Sequence, residues 1–319
     1  ITQTEHDAPT ISLKTGVSFT LTDCNGSQSK HYFKKTANGP WTPSTEGETG
    51  SILVEGGIIT HSEAVYGSAV CLNADSSKFI MYGGTLCGNR NTNESCGVFM
   101  QDGAFAMYGG AIRGNHMSLR GGAGVYVGND TSSETHFSTF TMCGNAVISG
   151  NTTEDVNGGG VYVANRAKFT MRGDAQISNN KAIEGNGGGV YVTGRFTMSG
   201  GTIGGTGAND ANTASDNGGG VFVLDDYSVS CTMSGNVTII GNKKSGDGTD
   251  NNYYGGTITI GTDGLGDNAK IGMNMGSSWP TETYGTRIAY KAKESDQGKF
   301  TSDKEGYEIK YNEREKELR

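Results

Sequence analysis

"GGGVYVANRAKFTMRGDAQISNN" (residues 158–180) is followed by "GGGVYVTGRFTMSGGTIGG" (residues 187–205). The second stretch repeats the first almost phrase for phrase, and self-similarity at a near-constant interval changes the whole fold assignment. Three short phrases recur in fixed order along the chain. One is a glycine-rich turn into an aromatic strand: "GVFM" at 97, "GVYV" at 124, 160 and 189, and "GVFV" at 220. The next is "FIM" at 79, "FAM" at 105, "FTM" at 140, 169 and 196, and "CTM" at 231. The last is "TLCGN" at 85, "AIRGN" at 111, "AVISGN" at 146, "AQISNN" at 175, "GTIGG" at 201 and "VTIIGN" at 237.

The intervals between Val98, Val125, Val161, Val190 and Val221 vary while the phrases do not, so loops absorb the difference. Short segments with period-2 alternation, bounded by Gly, Asn, Asp and Ser, read as strands joined by tight turns. Three of them per repeat make a triangular coil, and stacked coils make a parallel β-helix. Equivalent residues then lie about 4.8 Å apart up the stack, which makes interior columns legible by alignment. Phe79, Phe105, Phe140, Phe169 and Phe196 form one column, closing in Cys231. Met81, Met107, Met142, Met171, Met198 and Met233 form a second, and Leu86, Ile112, Ile148, Ile177, Ile203 and Ile239 a third.

Between Phe and Met stand Ile80, Ala106, Thr141, Thr170, Thr197 and Thr232, which alternation sends outward. Asn89, Asn115, Asn151, Asn180 and Asn242 close the third strand at one position, as expected of an asparagine ladder whose residues tolerate left-handed backbone. Glycine triplets cover the sharper corner. Phe99, Tyr126, Tyr162, Tyr191 and Phe222 point outward if the valines on either side point in, and inward if the first strand is flipped. Outward, they form a ladder that stabilises the sheet by mutual stacking, or a platform for sugar rings or a partner.

Composition narrows the function. Glycine supplies 53 residues and proline 4, with no Gly-X-Y period, so the glycines serve turns rather than a collagen helix. Acidic residues outnumber basic ones, 33 to 25, for a net charge of −8, which argues against nucleic acid and anionic membrane as partners. No apolar run approaches the roughly 18 residues of a membrane helix, and no signal peptide begins at Ile1, so the chain reads as a mature or excised soluble piece. The cysteines (Cys24, Cys71, Cys87, Cys96, Cys143 and Cys231) fall at no zinc spacing. Four of them occupy strand-like segments and read as free thiols acting as small hydrophobes; a Cys87–Cys96 bridge is the alternative.

The chain divides into residues 1–66, irregular coils interrupted by the excursion "NGSQSKHYFKKTANGPWTP"; residues 67–268, the regular repeats; and residues 269–319, a charged tail suited to capping the open end of the stack. "GGGVYV", "FTMSGGTI" and "VISGN", with the tail "AKIG…FTSDKEGYEIKYN", resemble right-handed parallel β-helix repeat proteins found on the surfaces of anaerobic gut Firmicutes. The match spans roughly residues 10–319. In that group the opening "ISLKTGVSFTLTDC" is preceded by a further strand-rich cap, so the resemblance implies that this chain is a fragment or processed product. The repeats are also similar to those of chlamydial polymorphic outer-membrane proteins, which act as adhesins, although the F-x-x-N spacing of that family does not occur here. The resemblance implies a secreted or wall-attached protein and transfers no catalytic residue.

Candidate chemistry lies on loops and outer faces. A glycosidase needs two carboxylates facing one groove, and a lyase a base beside Lys or Arg, usually with calcium. Asp225 and Asp226, above Arg195 of the preceding coil, are the nearest acidic pair, against which stands the reading as a solvated turn. Glu94, Glu154, Asp155, Glu184 and Asp216 precede successive glycine corners and line one edge, as solvated charge that opposes aggregation or as a calcium or cationic-ligand site. His116 and His136 show no acidic or cysteine partner at triad or metal spacing and read as surface histidines. "GNGGG" and "DNGGG" lack the Lys-Ser or Lys-Thr of a phosphate loop. Trp41 and the loops at 128 and 242 are the longest departures from the coil, where a binding site is most readily grafted.

The sequence therefore predicts an all-β, right-handed, single-stranded parallel β-helix of three short strands per coil and about seven or more coils, with a small C-terminal cap. The expected role is a non-catalytic extracellular adhesin or ligand-presenting spacer. Tyr126, Tyr162, Tyr191, Phe222 and Trp41 are its candidate contacts for glycan or host surface protein. A carbohydrate-active enzyme of the hydrolase or lyase type is the alternative.

Overall fold

The computed structural model describes residues 2–3, 11–14, 16–21, 31–34, 42–45, 48–49, 51–54, 58–61, 68–74, 76–93, 97–128, 138–274 and 287–319. Trp41, Glu94, Cys24, Cys96 and His136 lie outside these residues. Within them the chain is a parallel β-helix. One coil runs through Val161–Val163, Lys168–Met171 and Gln176–Ser178, and the next through Val190–Val192, Arg195–Met198 and Gly201–Gly204. The two pair in parallel, with Val161 beside Val190, Phe169 beside Phe196 and Ile177 beside Ile203.

First strands stack without interruption from Ile11–Leu13 to Tyr253–Gly255, second strands from Ser18–Leu21 to Ala289–Tyr290, and third strands from Ile58–His61 to Phe300–Ser302. The first and third stacks merge into one 18-stranded sheet because Lys270–Asn274 pairs with both Val237–Ile240 and Tyr253–Gly255. A feature not anticipated is a two-residue strand after each third strand, from Arg90–Asn91 to Lys243–Lys244, forming a six-stranded sheet at the corner. In the N-terminal excursion, His31–Lys34 pairs antiparallel with both Thr42–Ser44 and Ser51–Val54.

The interior is built of the expected columns. Phe79, Phe105, Phe140, Phe169 and Phe196 are buried and stack with ring centroids 4.7–5.2 Å apart and planes within 14° of parallel. The methionine and isoleucine columns are equally dry. Each stacked pair adds roughly 0.5–1.5 kcal/mol beyond the area it buries. The column changes at its C-terminal end for a visible reason. Tyr253 occupies the position that valine holds in earlier coils, its hydroxyl donating to the Gly256 carbonyl at 2.6 Å. Cys231 replaces phenylalanine on the facing second strand and hydrogen-bonds the same hydroxyl, so a smaller side chain admits a larger one.

The asparagine ladder is longer than the phrases revealed. Asn89, Asn115, Asn151, Asn180, Asn212, Asn242 and Asn252 each donate a side-chain N–H to the next member, over 2.6–3.0 Å, and the last donates to Asp303. From Asn115 to Asn242 the same amide also donates to a third-strand carbonyl one coil back, such as Ile148 O for Asn180. Left-handed backbone falls on the residue before the ladder rather than on it: Gly88, Gly114, Gly150, Asn179 and Gly241 have φ between 56° and 70°. At the opposite corner, Gly187 has φ 67°, and a Cβ on Gly189 would lie 2.5 Å from Gly220 O, so neither turn nor stacking distance admits a side chain.

The stack closes at the C-terminal end. Ile288, Ala289, Ala292, Phe300 and Leu318 join the core cluster, and Ala289–Tyr290 ends the second-strand sheet by pairing antiparallel with Glu317–Leu318. Buried Glu317 is held between Arg287 and Arg319, and Lys299 is held by Asp296 and Leu265 O, each at 2.9 Å. Among the described residues no helix is long and apolar enough to cross a membrane.

Candidate functional site

The aromatic ladder faces outward, which decides between its two orientations. Val161 and Val163 are fully buried while Tyr162 between them is half-buried, and the neighbouring coils agree. Phe99, Tyr126, Tyr162, Tyr191, Phe222 and Tyr254 stack with centroids 5.0–5.5 Å apart. Arg120 lies over Phe99 and Tyr126, and a Cβ on Gly121 would reach 2.2 Å from the Tyr162 ring. Desolvation pushes the Tyr162 hydroxyl up to about 12. Stacking occupies the ring faces along the ladder, so Tyr126, Tyr162 and Tyr191 offer a ligand edges rather than platforms.

Asp225 and Asp226 are exposed in the turn after Val221–Val223. Asp226 Oδ1 accepts from Ser228 N at 2.8 Å and Ser228 Oγ at 2.6 Å, which closes the turn and holds the carboxyl below its usual range. Arg195 is exposed at the start of its strand, in register with Ser230 beyond that turn. The geometry is that of a solvated turn with one carboxylate committed to it.

Glu154, Asp155, Glu184 and Asp216 do follow one edge, with Glu184 N donating to Glu154 O at 2.7 Å. Glu154 is tied inward by its side chain: bonds from Ser118 and from His116 Nε2, the latter at 2.8 Å, hold its carboxyl low. His116 is therefore not a surface residue. It is 1% exposed, and burial lowers its pKa, so a neutral ring donates to the carboxylate. Its partner stands 38 residues away in sequence, in the next coil, where no local spacing reveals it. Among the described residues no group of three or more His, Cys, Asp or Glu is arranged to hold a metal ion.

Cys71, Cys87, Cys143 and Cys231 are buried, and Cys87 is a free thiol, which removes the Cys87–Cys96 bridge. Desolvation pushes the Cys87 and Cys231 thiols up to about 12. At the C-terminal corner a cavity of about 420 Å³ is lined by Asp216, Lys244, Asp247, Asp250, Asp303 and Lys304, among others. Three of its acids are engaged within the fold: Asp250 by Lys243 at 2.6 Å, Asp247 by Thr249, and Asp303 by Asn252.

A further concavity lies on the third-strand face, where no sequence motif marks it. Two adjoining hollows of about 500 and 370 Å³ share Asp174 and Thr202 and form one groove. Its floor is the outward column Gln176, Thr202 and Thr238, in register on three successive coils and so about 10 Å across. One end is the bend between second and third strands, with Gly173, Ser199, Gly200 and Asn236. The other is a wall made by the insertion at residues 205–211, absent from neighbouring coils.

That wall is held in place. Asp210 Oδ2 accepts from Gly207 N at 2.8 Å, and Asp210 O accepts from Asn179 N of the preceding coil at 3.1 Å. Hydroxyls, amides, two carboxylates and bare backbone thus converge on the groove, and none of its lining residues is basic. Lys270 is the first basic group in the floor column and stands one coil beyond Thr238. The signal for the site was the insertion itself, which separates "GTIGG" from the ladder residue Asn212.

The fold thus defines a β-solenoid with a polar groove on one outer face. Comparison with protein-family models, with curated proteins and with solved structures finds no match for this chain.

Proposed function

We propose that this chain is a non-catalytic module of an extracellular bacterial surface protein, a rigid solenoid that presents a glycan- or host-binding face. One observation carries the reading: the open polar groove around Asp174 and Thr202, laid across three coils in register. A continuous core and a continuous amide ladder make the solenoid stiff along its axis, which suits holding a binding surface away from a cell. The repeat phrases' resemblance to surface-anchored β-helix proteins supports the location. Binding of the chain to a panel of host glycans and to immobilised mucin tests the reading. Retention is expected, and failure to bind any member leaves only a spacer.

A carbohydrate-active enzyme is the second reading, favoured by the two carboxylates, Asp174 and Asp210, that line one groove. The groove lacks the basic residues with which a lyase neutralises uronates, so a hydrolase is the form this reading takes. Release of reducing ends from oligosaccharides, lost in Asp174→Asn, supports it; no turnover removes it.

A further inference from the structure

We infer that the groove between the strand bend at Gly173 and the 205–211 wall binds an uncharged glycan and discriminates against anionic ones. The inference rests on the glycan-binding reading and narrows it to a ligand class and a place.

Size and shape come first. The groove is open to solvent along its length and its floor spans three coils, which fits a short segment of an extended polymer better than an enclosed small molecule. Its chemistry points the same way. No aromatic side chain lines it, and Ile240 is the only large apolar residue that does, so burial of apolar surface gives an oily ligand little. Hydroxyls of Ser199, Thr202 and Thr238 and amides of Gln176 and Asn236 both donate and accept, as sugar hydroxyls do. Glycines at 173, 200, 201, 204, 205 and 235 leave main-chain groups within reach of a ligand.

Charge then selects among glycans. A carboxylate is an acceptor with two oxygens, suited to two hydroxyls on adjacent ring carbons, and hydrogen bonds to it are stronger than neutral ones. Asp174, shared by both hollows, is placed for this role beside their junction, with Asp210 on the wall. The same carboxylates repel sialylated, sulfated and uronic sugars, and no lining lysine or arginine offsets them.

The test compares matched neutral and acidic oligosaccharides, the acidic member of each pair bearing sialic acid, sulfate or a uronate, on an array and then by calorimetry. Wild type is expected to bind neutral members at least tenfold more tightly than their acidic partners. Thr202→Arg, which fills the junction of the two hollows, is expected to abolish that binding, and Asp174→Asn to weaken it about tenfold. Asp174→Lys is expected to narrow or reverse the discrimination, which loss of fold does not produce. Circular dichroism and thermal melts check that each variant is folded, and Asp174→Asn, on an exposed turn, carries the test if Thr202→Arg does not fold. Glycan binding unchanged by Thr202→Arg and Asp174→Asn, or equal affinity for acidic partners, overturns the inference while leaving the surface-module reading intact. Absence of binding to every glycan and to mucin removes the inference and the ligand-binding role together, leaving only a spacer.

Discussion

Asp303 ends the asparagine ladder: its carboxylate oxygens receive the main-chain and side-chain N–H groups of Asn252 at 2.6 and 2.7 Å. Every other junction joins amide to amide, so the ladder runs one way, donors toward the cap, and needs an acceptor with no donor of its own at the end. Aspartate supplies it. Burial pushes the Asp303 pKa up to about 6; Asp250 acts in the same direction, and the Asn252 bonds and Lys243 oppose it. An acid whose folded pKa exceeds its unfolded value stabilises the fold most when protonated. The Asp303 contribution is therefore complete below about pH 3.8 and is lost as the pH rises through about 6. The shift corresponds to at most about 3 kcal/mol. Denaturant melts across that window are expected to show a smaller pH slope for Asp303→Asn than for wild type; identical slopes would mean that the carboxyl titrates normally.

Removing one rung tests the ladder itself. Asn180 donates to Asn212 Oδ1, Ile148 O and Ser178 O and accepts from Asn151, all out of solvent. Asn180→Ala strands several of these partners, and each buried unsatisfied group costs roughly 1–3 kcal/mol. A loss of at least about 3 kcal/mol in unfolding free energy is expected. A loss below about 1 kcal/mol contradicts the ladder's structural role.

Alternation makes opposite predictions for neighbours in one strand. Phe140 is buried between Phe105 and Phe169, while Thr141 faces out. Phe140→Ala is expected to cost about 3–5 kcal/mol and Thr141→Ala about 0.5 kcal/mol or less. Equal effects in chemical denaturation would put the strand the wrong way round.

Cys231→Phe restores the consensus of its column yet is expected to destabilise, by about 1–3 kcal/mol, because Tyr253 already fills the space. Adding Tyr253→Val makes room, so the double variant is expected to recover most of the loss. Additive effects in that double-mutant cycle would show that the two side chains do not share a volume.

Much of this architecture was legible because a parallel stack repeats its chemistry at equal height. The Phe, Met and Ile columns need only phrase alignment, and their registers are as expected. Asn212 escaped because the 205–211 insertion displaces it from its phrase, and Asn252 and Asp303 because the ladder climbs over the cap without the third-strand phrase that marks its other members. His116 was misread because its partner Glu154 is adjacent only through the coil. The groove was invisible for a related reason: Asp174 sits in a bend and Asp210 in an insertion, and neither belongs to a motif. Columns announce themselves in sequence; a hollow between a sheet face and one irregular loop does not.

Both the dry interior and the groove floor require successive coils to sit one strand spacing apart in unbroken register, and a spin-label ruler on the outward second-strand column tests this most directly. Six coil steps separate Ile80 from Thr259 and four separate Ala106 from Thr232. With nitroxides on cysteines at each pair, in a background lacking other accessible thiols, backbone separations of about 29 and about 19 Å are predicted, in proportion to the number of steps. Distances that do not scale with coil number would contradict the stacked helix and with it the groove.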